Sequence, residues 1–242
     1  MDIILIPGLW LDGSSWDAVT PALDTAGHRP HPLTLPGMES KDADRAGITL
    51  QDQVDAVVAA VDALGAANGP VLLVGHSAGS GIGHAAVDAR PDRVARAVYV
   101  GGFPSADGEQ LLGGLPASNG EVAMPDWKQM GEDANVVDFD EERLARFYAE
   151  AIPAPERVLT DPVSLSDERR YDVPVTAVCP EYTAADLRGW VDGGDLPELA
   201  KVRDVEYVDL PGGHWPQLTQ PDALAQVLLD AAEKADEREG RG

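Results

Sequence analysis

An α/β architecture, a mostly parallel open sheet of about six strands flanked by helices, is predicted by three features of the chain. Short runs rich in apolar and branched residues (Val71 to Val74, Val94 to Val100, Val173 to Cys179, Val205 to Leu210) read as strands, and Ile3 to Ile6 has the unbroken hydrophobicity of a strand buried on both faces. Helical stretches alternate with them, the clearest carrying Val54, Val57, Val58, Val61 and Leu64 at three- and four-residue spacing. Glycine-rich turns end several of the runs, at Gly8, Gly75, Gly101-Gly102 and Gly212-Gly213, where open α/β sheets hold their ligands. Residues 1–242 are read as one domain, interrupted by an insertion at about 105–172.

Charge narrows the partners. The chain has 18 basic and 42 acidic residues, a formal charge of -24, which repels phosphate backbones and anionic lipid headgroups. Neither nucleic acid nor a membrane surface is expected as a partner. Lysine occurs only at 41, 128, 201 and 234. Such an acidic surface suits a protein kept soluble in high salt, and genome-wide composition bias accounts for it equally well. Cys179 is the sole cysteine, so no internal disulfide forms and a reducing interior is allowed. The start, Met1 to Pro7, has no basic leader and too short an apolar run for a signal peptide. No segment approaches the apolar length of a membrane span. A cytoplasmic protein is expected.

In chain order, Ile3 to Ile6 runs directly into the loop Pro7-Gly8-Leu9-Trp10. Ser15 can cap a helix from Trp16 to Ala26 that Gly27 ends, with a kink or late start at Pro21; Trp16 reads as core packing. His31 to Leu35 is the next strand, turned by Pro36-Gly37. His28 and His31 lie at its beginning, away from the ligand-bearing ends, and read as structural or surface residues. Thr49 to Asp52 has capping-box spacing and opens a scaffold helix that Gly65 closes. Val71 to Val74 is followed by Gly75-His76-Ser77-Ala78-Gly79, a sharp turn into a small-residue helix, Ser80 to Arg90, stopped by Pro91. The glycines of Gly79-Ser80-Gly81-Ile82-Gly83 lack dinucleotide-loop spacing and serve close helix packing. Val94 to Val100 ends in Gly101-Gly102-Phe103-Pro104. The alternation then breaks down from Ser105 to about Asp172, with an Asp140-capped helix from Glu141 to about Ile152 and a short one around Glu156 to Leu159. Val173 to Cys179 and Val205 to Leu210 complete the sheet, and Cys179 reads as a buried small hydrophobe. After Pro211-Gly212-Gly213-His214-Trp215-Pro216 come a helix from Pro221 to Ala232 and a charged tail, Glu233 to Gly242.

Gly75 to Gly79 is a Gly-x-Ser-x-Gly between a strand and a helix, a setting that strains Ser77 and projects its hydroxyl from the sheet. It resembles the nucleophile elbow of the α/β-hydrolase fold. The whole chain resembles the compact esterase and hydroxynitrile-lyase branch of that superfamily. The resemblance implies that the first residue after Gly8 and the residue after the serine, Leu9 and Ala78, donate backbone N–H groups to an oxyanion hole. Pro7 stands where the family commonly has His, a side chain that a backbone donor does not need. Some members carry the triad acid after the fourth strand, where this chain has Gly101 and Gly102. The loop after Val173 to Cys179 is the family's usual place for it; Glu181 fits best and Asp186 second. His214, on a glycine-rich loop after the last strand, occupies the position of the base, and the order serine, acid, histidine agrees. His76, inside the elbow and directed away from the serine, and His84, two helical turns beyond it, are poor bases for Ser77. The insertion resembles the family's cap. Met124, Trp127, Met130, Phe147 and Tyr148 on it are candidates for the substrate wall or for cap packing, and Trp10, Phe103 and Trp215 are further substrate-binding candidates.

What the resemblance implies is a carboxylesterase-like serine hydrolase with the triad Ser77, His214 and Glu181, cleaving a small, mainly apolar ester through an acyl-enzyme. No cofactor or metal is implied, and the chain would act as a monomer or homodimer. Two alternatives stand beside it. A lyase of the hydroxynitrile-lyase type would use the same residues to move protons, although that branch commonly has a lysine near the site and none occurs on an equivalent loop here. A catalytically silent ligand-binding member of the fold is the other.

Overall fold

The computed structural model describes residues 1–65 and 69–239. Six strands, β1 (Asp2–Ile6), β2 (Arg29–Pro32), β3 (Val71–His76), β4 (Val94–Val100), β7 (Val175–Cys179) and β8 (Val205–Asp209), form one sheet in the order β2-β1-β3-β4-β7-β8. Every neighbouring pair in it is parallel. A two-residue antiparallel pair, β5 (Glu121–Val122) with β6 (Ala154–Pro155), lies apart within the insertion.

Both faces of the central strands β1, β3, β4 and β7 are covered, while the edge strands β2 and β8 are partly exposed. In β1, Ile3 and Leu5 join Leu72, Val74, Val98, Val100 and Val178 against α8 (Pro221–Glu239), while Ile4 and Ile6 point the opposite way toward α2 (Leu50–Ala63) and α3 (Ala78–Ala89). Helix α2 begins with the expected capping box, Thr49 accepting from the Asp52 N–H at 3.0 Å and Asp52 from the Thr49 N–H at 2.8 Å. Helix α3 lies so close to the sheet that a Cβ on Gly83 would stand 2.7 Å from Leu73 Cδ2. That is the close packing expected of its glycines.

Four elements differ from the sequence expectation. The first helix divides: Asp12, not Ser15, caps a 3-10 turn at Gly13–Trp16, and α1 (Thr20–Thr25) starts late, with Pro21 in its first turn. The second strand starts two residues earlier than expected, because Arg29 and His31 reach the buried Asp2 at 2.6 and 2.7 Å and seat Arg29–Pro32 beside β1. Helix α8 continues past Ala232 to Glu239, since Ala235 extends the stripe of Leu224, Leu228 and Ala231 and is buried; residues 240–242 of the expected tail lie outside the described residues. Helix α6 (Ala184–Gly193) was not expected, and it opens with a second capping box, Thr183 with Asp186.

Residues 105–172 hold β5, a 3-10 turn at Asp133–Val136, α4 (Glu141–Glu150) capped by Asp140, β6, and α5 (Glu156–Thr160). Among them Val136, Leu144 and Phe147 gather around Trp215 in a small core of their own. The chain order in the sheet reverses between β1 and β3, so their carboxyl ends bound the crevice where such sheets bind ligands. The insertion leaves the sheet from the end of β4, at that same edge. A final short helix, α7 (Pro216–Thr219), links the last loop to α8.

Candidate active site

Ser77 stands between β3 and α3 with φ 53° and ψ -126°, outside the regions an L-residue favours. Glycine makes the turn sterically possible: a Cβ on Gly75 would lie 2.4 Å from the Gly79 carbonyl oxygen, and one on Gly79 would lie 2.5 Å from that of Pro7. The Ser77 N–H donates to the Val100 carbonyl at 2.9 Å, which ties the turn to the end of β4. Gly102 is pressed onto the same turn, its missing Cβ only 2.2 Å from the Ser77 carbonyl oxygen.

The loop after β1 closes over this turn. Gly8 has room for no side chain, since a Cβ would meet His76 Nδ1 at 2.7 Å and Ser77 Cβ at 3.0 Å. Trp10 also has a positive φ, 65°. Its conformation is held from the insertion, by its Nε1–H on the Val122 carbonyl at 3.0 Å and its own carbonyl accepting from the Ile152 N–H at 2.9 Å. Ala78 is the first residue of α3, so its N–H has no acceptor within the helix, and the positive end of the helix dipole is directed there.

Two further loops meet opposite Ser77. The Leu210 N–H bonds the Cys179 carbonyl at 3.0 Å and the Gly212 N–H bonds the Pro180 carbonyl at 3.1 Å, so the exits of β7 and β8 run side by side. This brings Glu181 Oε1 into direct hydrogen-bond contact with His214 Nδ1, both side chains being mostly buried. Among the described residues neither Ser77 Oγ nor His214 Nε2 has a protein hydrogen-bond partner; contacts of this kind often tighten only with substrate bound. Asp186 is elsewhere. Its carboxylate accepts from the Thr183 N–H at 2.9 Å and the Thr183 hydroxyl at 2.6 Å at the exposed start of α6, and these bonds lower its pKa.

A cavity of about 410 Å3 collects these groups. Leu9, Trp10, Ser77, Ala78, Phe103, Trp127, Glu181 and His214, all candidates from the sequence, line it. Tyr148 and Trp215 do not. The Tyr148 hydroxyl accepts from the Trp127 N–H at 3.0 Å, and buried Trp215 sets its ring edge-on to His214 at 4.8 Å between centroids, so both support the wall from behind. Of the other insertion candidates, Phe147 is buried in the small core, Met124 packs beside it and Met130 is exposed. Sequence reasoning missed Glu109, Leu111, Leu112, Asn135, Tyr182 and Leu196, which also line it, together with Ser105, Pro104 and the glycines at 81, 101 and 102. Only Tyr182, beside Glu181, carried a signal; the others come from irregular segments whose path no periodicity describes. One side of the cavity is aromatic, with Phe103 and Tyr182 5.5 Å apart and Trp190 5.0 Å behind Tyr182.

The remaining histidines are engaged in structure. His84 is buried between the Tyr99 hydroxyl at 2.9 Å and Glu198 Oε1 at 3.0 Å, and burial lowers its pKa. His28 Nδ1 lies 3.3 Å from the amino terminus. No helix among the described residues is long and apolar enough to cross a membrane.

Comparison with known proteins adds to this geometry. The family model described as "Alpha/beta hydrolase family" matches residues 3–227. A pyrethroid hydrolase of Sphingobium wenxiniae is 27% identical over 256 residues, covering 96% of this chain and 88% of that one. Among solved structures, an extracellular α/β-hydrolase from a Paenibacillus species superposes with a TM-score of 0.77 at 20% identity over 96% of this chain and 98% of that one. A methylesterase from Arabidopsis gives a TM-score of 0.73 at 19% identity over 96% and 99% of the two chains.

Proposed function

The chain belongs to the α/β-hydrolase family, and from that premise we propose that it is a serine esterase acting on small, mainly apolar carboxylic esters. The observation that carries the proposal is the strained Ser77 sharing one cavity with a His214 whose Nδ1 is held by Glu181. Among the similar proteins one is named a pyrethroid hydrolase and another a methylesterase, which supports the same reading.

In this reading His214 Nε2 takes the Ser77 proton as Oγ attacks the ester carbonyl, and Glu181 keeps the imidazole in the correct tautomer and stabilises its protonated form. The oxyanion falls to the N–H groups of Leu9 and Ala78, each such donor worth roughly 10² to 10³ in rate. His214 then gives its proton to the departing alcohol, leaving an acyl-Ser77. Water, deprotonated by the same nitrogen, releases the acid and restores the serine. Residues 105–172 act as a cap, whose Trp127, Leu111 and Leu112 and the Phe103–Tyr182 pair give the acyl or alcohol group an apolar wall. A cytoplasmic location, with the single buried Cys179 needing no oxidising compartment, is part of the proposal.

Intact-mass analysis after exposure to a serine-directed fluorophosphonate tests it. One adduct on the native chain, absent from Ser77→Ala and His214→Ala, is the expected result. An unlabelled native protein, or a Ser77→Ala variant that still turns over esters, would overturn it.

A further inference from the structure

The backbone of His214 is gripped on both sides. Its N–H donates to the Asn135 carbonyl at 2.8 Å, and its carbonyl accepts from His76 Nε2 at 2.7 Å. The first bond, together with the Gly213 N–H on Asp138 Oδ2 at 2.6 Å, fastens the loop to the insertion. The second does something different, because His76 immediately precedes Ser77. One rigid ring therefore spans from the strand that presents the serine to the loop that presents the histidine, groups separated by more than a hundred residues of chain. A shift of His214 relative to Ser77 has to bend or break this bond.

The chemistry of the ring suits that task. A carbonyl only accepts, so Nε2 carries the proton and Nδ1 is bare. Nδ1 has no hydrogen-bond partner among the described residues and lies against Gly8, so close that a Cβ there would come within 2.7 Å of it. His76 is wholly buried, and burial first, then the neighbouring His214, lowers its pKa to about 3. The two rings are 5.0 Å apart between centroids. A neutral His76 puts no second cation beside His214 when His214 is protonated. The carboxylates of Glu181 and Asp138 also bond the His214 loop.

We propose that His76 is a positioning residue for His214, fixing the distance and angle between base and nucleophile through its Nε2–H bond to the His214 carbonyl. The inference rests on the triad reading above. It also gives the histidine of Gly75-His76-Ser77 a role that its orientation, away from the serine hydroxyl, does not otherwise supply.

The test compares His76→Gln, whose side-chain amide nitrogen can occupy the place of Nε2, with His76→Asn, whose shorter amide cannot, and with His76→Phe, which has the ring shape and no donor. Steady-state kinetics on a neutral aryl ester are normalised to sites titrated with fluorophosphonate, and the pH profile of kcat/KM is recorded for each. The Asn and Phe variants are expected to lose about 10- to 100-fold in kcat with KM nearly unchanged. A changed shape of the profile in these two variants and not in the Gln variant would mark the loss of the fixed base-to-nucleophile geometry. The Gln variant should stay within about threefold of the native rate. Should the Phe variant fail to fold, the Gln and Asn pair decides alone. Native kcat per titrated site in folded His76→Asn or His76→Phe overturns the inference, as does a Gln variant no better than Asn. A His214→Ala variant with native activity would instead remove the triad reading on which it rests, so the two failures are distinguishable.

Discussion

Glu181 and His76 flank the same imidazole and differ in what their loss should do. Glu181→Gln keeps the size of the side chain and removes the charge that balances protonated His214. We expect kcat on a neutral ester to fall by about 10² to 10⁴ with the fold intact, measured by active-site-titrated kinetics and thermal melting. Native kcat in this variant would remove Glu181 from the triad. His76, in contrast, leaves a mark on stability. Its folded pKa of about 3 lies below the unbound value of 6.5, so between these limits the unfolded chain binds the extra proton. Its contribution is present in full above pH 6.5 and is lost as pH falls toward 3. Urea unfolding at stepwise lower pH should show stability declining across that window, and His76→Gln should flatten the decline. Equal slopes in the two proteins would mean that His76 does not titrate between the folded and unfolded states. The steric demand at the elbow makes a third residue-scale prediction: Gly79→Ala forces a Cβ against the Pro7 and Ile6 carbonyl oxygens, at 2.5 and 2.9 Å, and so pushes the Leu9 loop off Ser77. Labelling by fluorophosphonate should slow at least tenfold in any folded fraction of that variant.

At the scale of elements, what the sequence disclosed and what it hid divide by the kind of force that positions each piece. The strands and α2 were legible because burial on two faces or one leaves a period in the sequence, and the capping box at Thr49 leaves a spacing. Ser77, His214 and Glu181 came forward as candidates because their strand-end loops resemble those of the α/β-hydrolase fold, with Asp186 beside Glu181 as a second choice of acid. Helix α6 was hidden by its short, mostly exposed composition, although Thr183 and Asp186 repeat the spacing seen at Thr49. Long-range polar contacts left no trace at all. Arg170 of the 3-10 turn at Glu168–Asp172 reaches Asp88 of α3 at 3.0 Å and Glu198 at 2.7 Å, all three side chains buried, while Asp88 also accepts from the Ser166 and Asp167 N–H groups. Burial opposes ionisation of Glu198, but hydrogen bonds from His84 and Arg170 prevail and bring its pKa to about 2. This network pins the return of the insertion to the helix that follows Ser77. Arg170→Met removes the buried countercharge shared by two carboxylates and should cost about 3 to 5 kcal/mol in chemical unfolding, with the transition of the whole chain moving together. A loss below about 1 kcal/mol would mean that the cluster is hydrated and contributes little.

For the whole molecule the decisive quantity is the formal charge of -24, because it acts on substrates before they touch the site. Among the residues lining the cavity are two carboxylates, Glu109 and the paired Glu181, and no lysine or arginine. An ester carrying a carboxylate on its acyl chain therefore meets a repulsive field on approach and finds no countercharge on arrival. Burying its charge against Phe103, Leu111 and Tyr182 would add a desolvation cost that a neutral ester of the same length avoids. We expect kcat/KM for the neutral ester to exceed that for the anionic one by at least about tenfold at low salt. Salt separates the two causes. The approach component is screened as the Debye length shrinks from about 30 Å at 0.01 M to about 3 Å at 1 M, whereas desolvation inside the cavity is not. A preference that narrows with salt yet does not vanish is the signature of both acting together. Equal rates for the two esters at low salt would show that the acidic surface does not govern substrate choice, leaving selection to the shape of the aromatic wall.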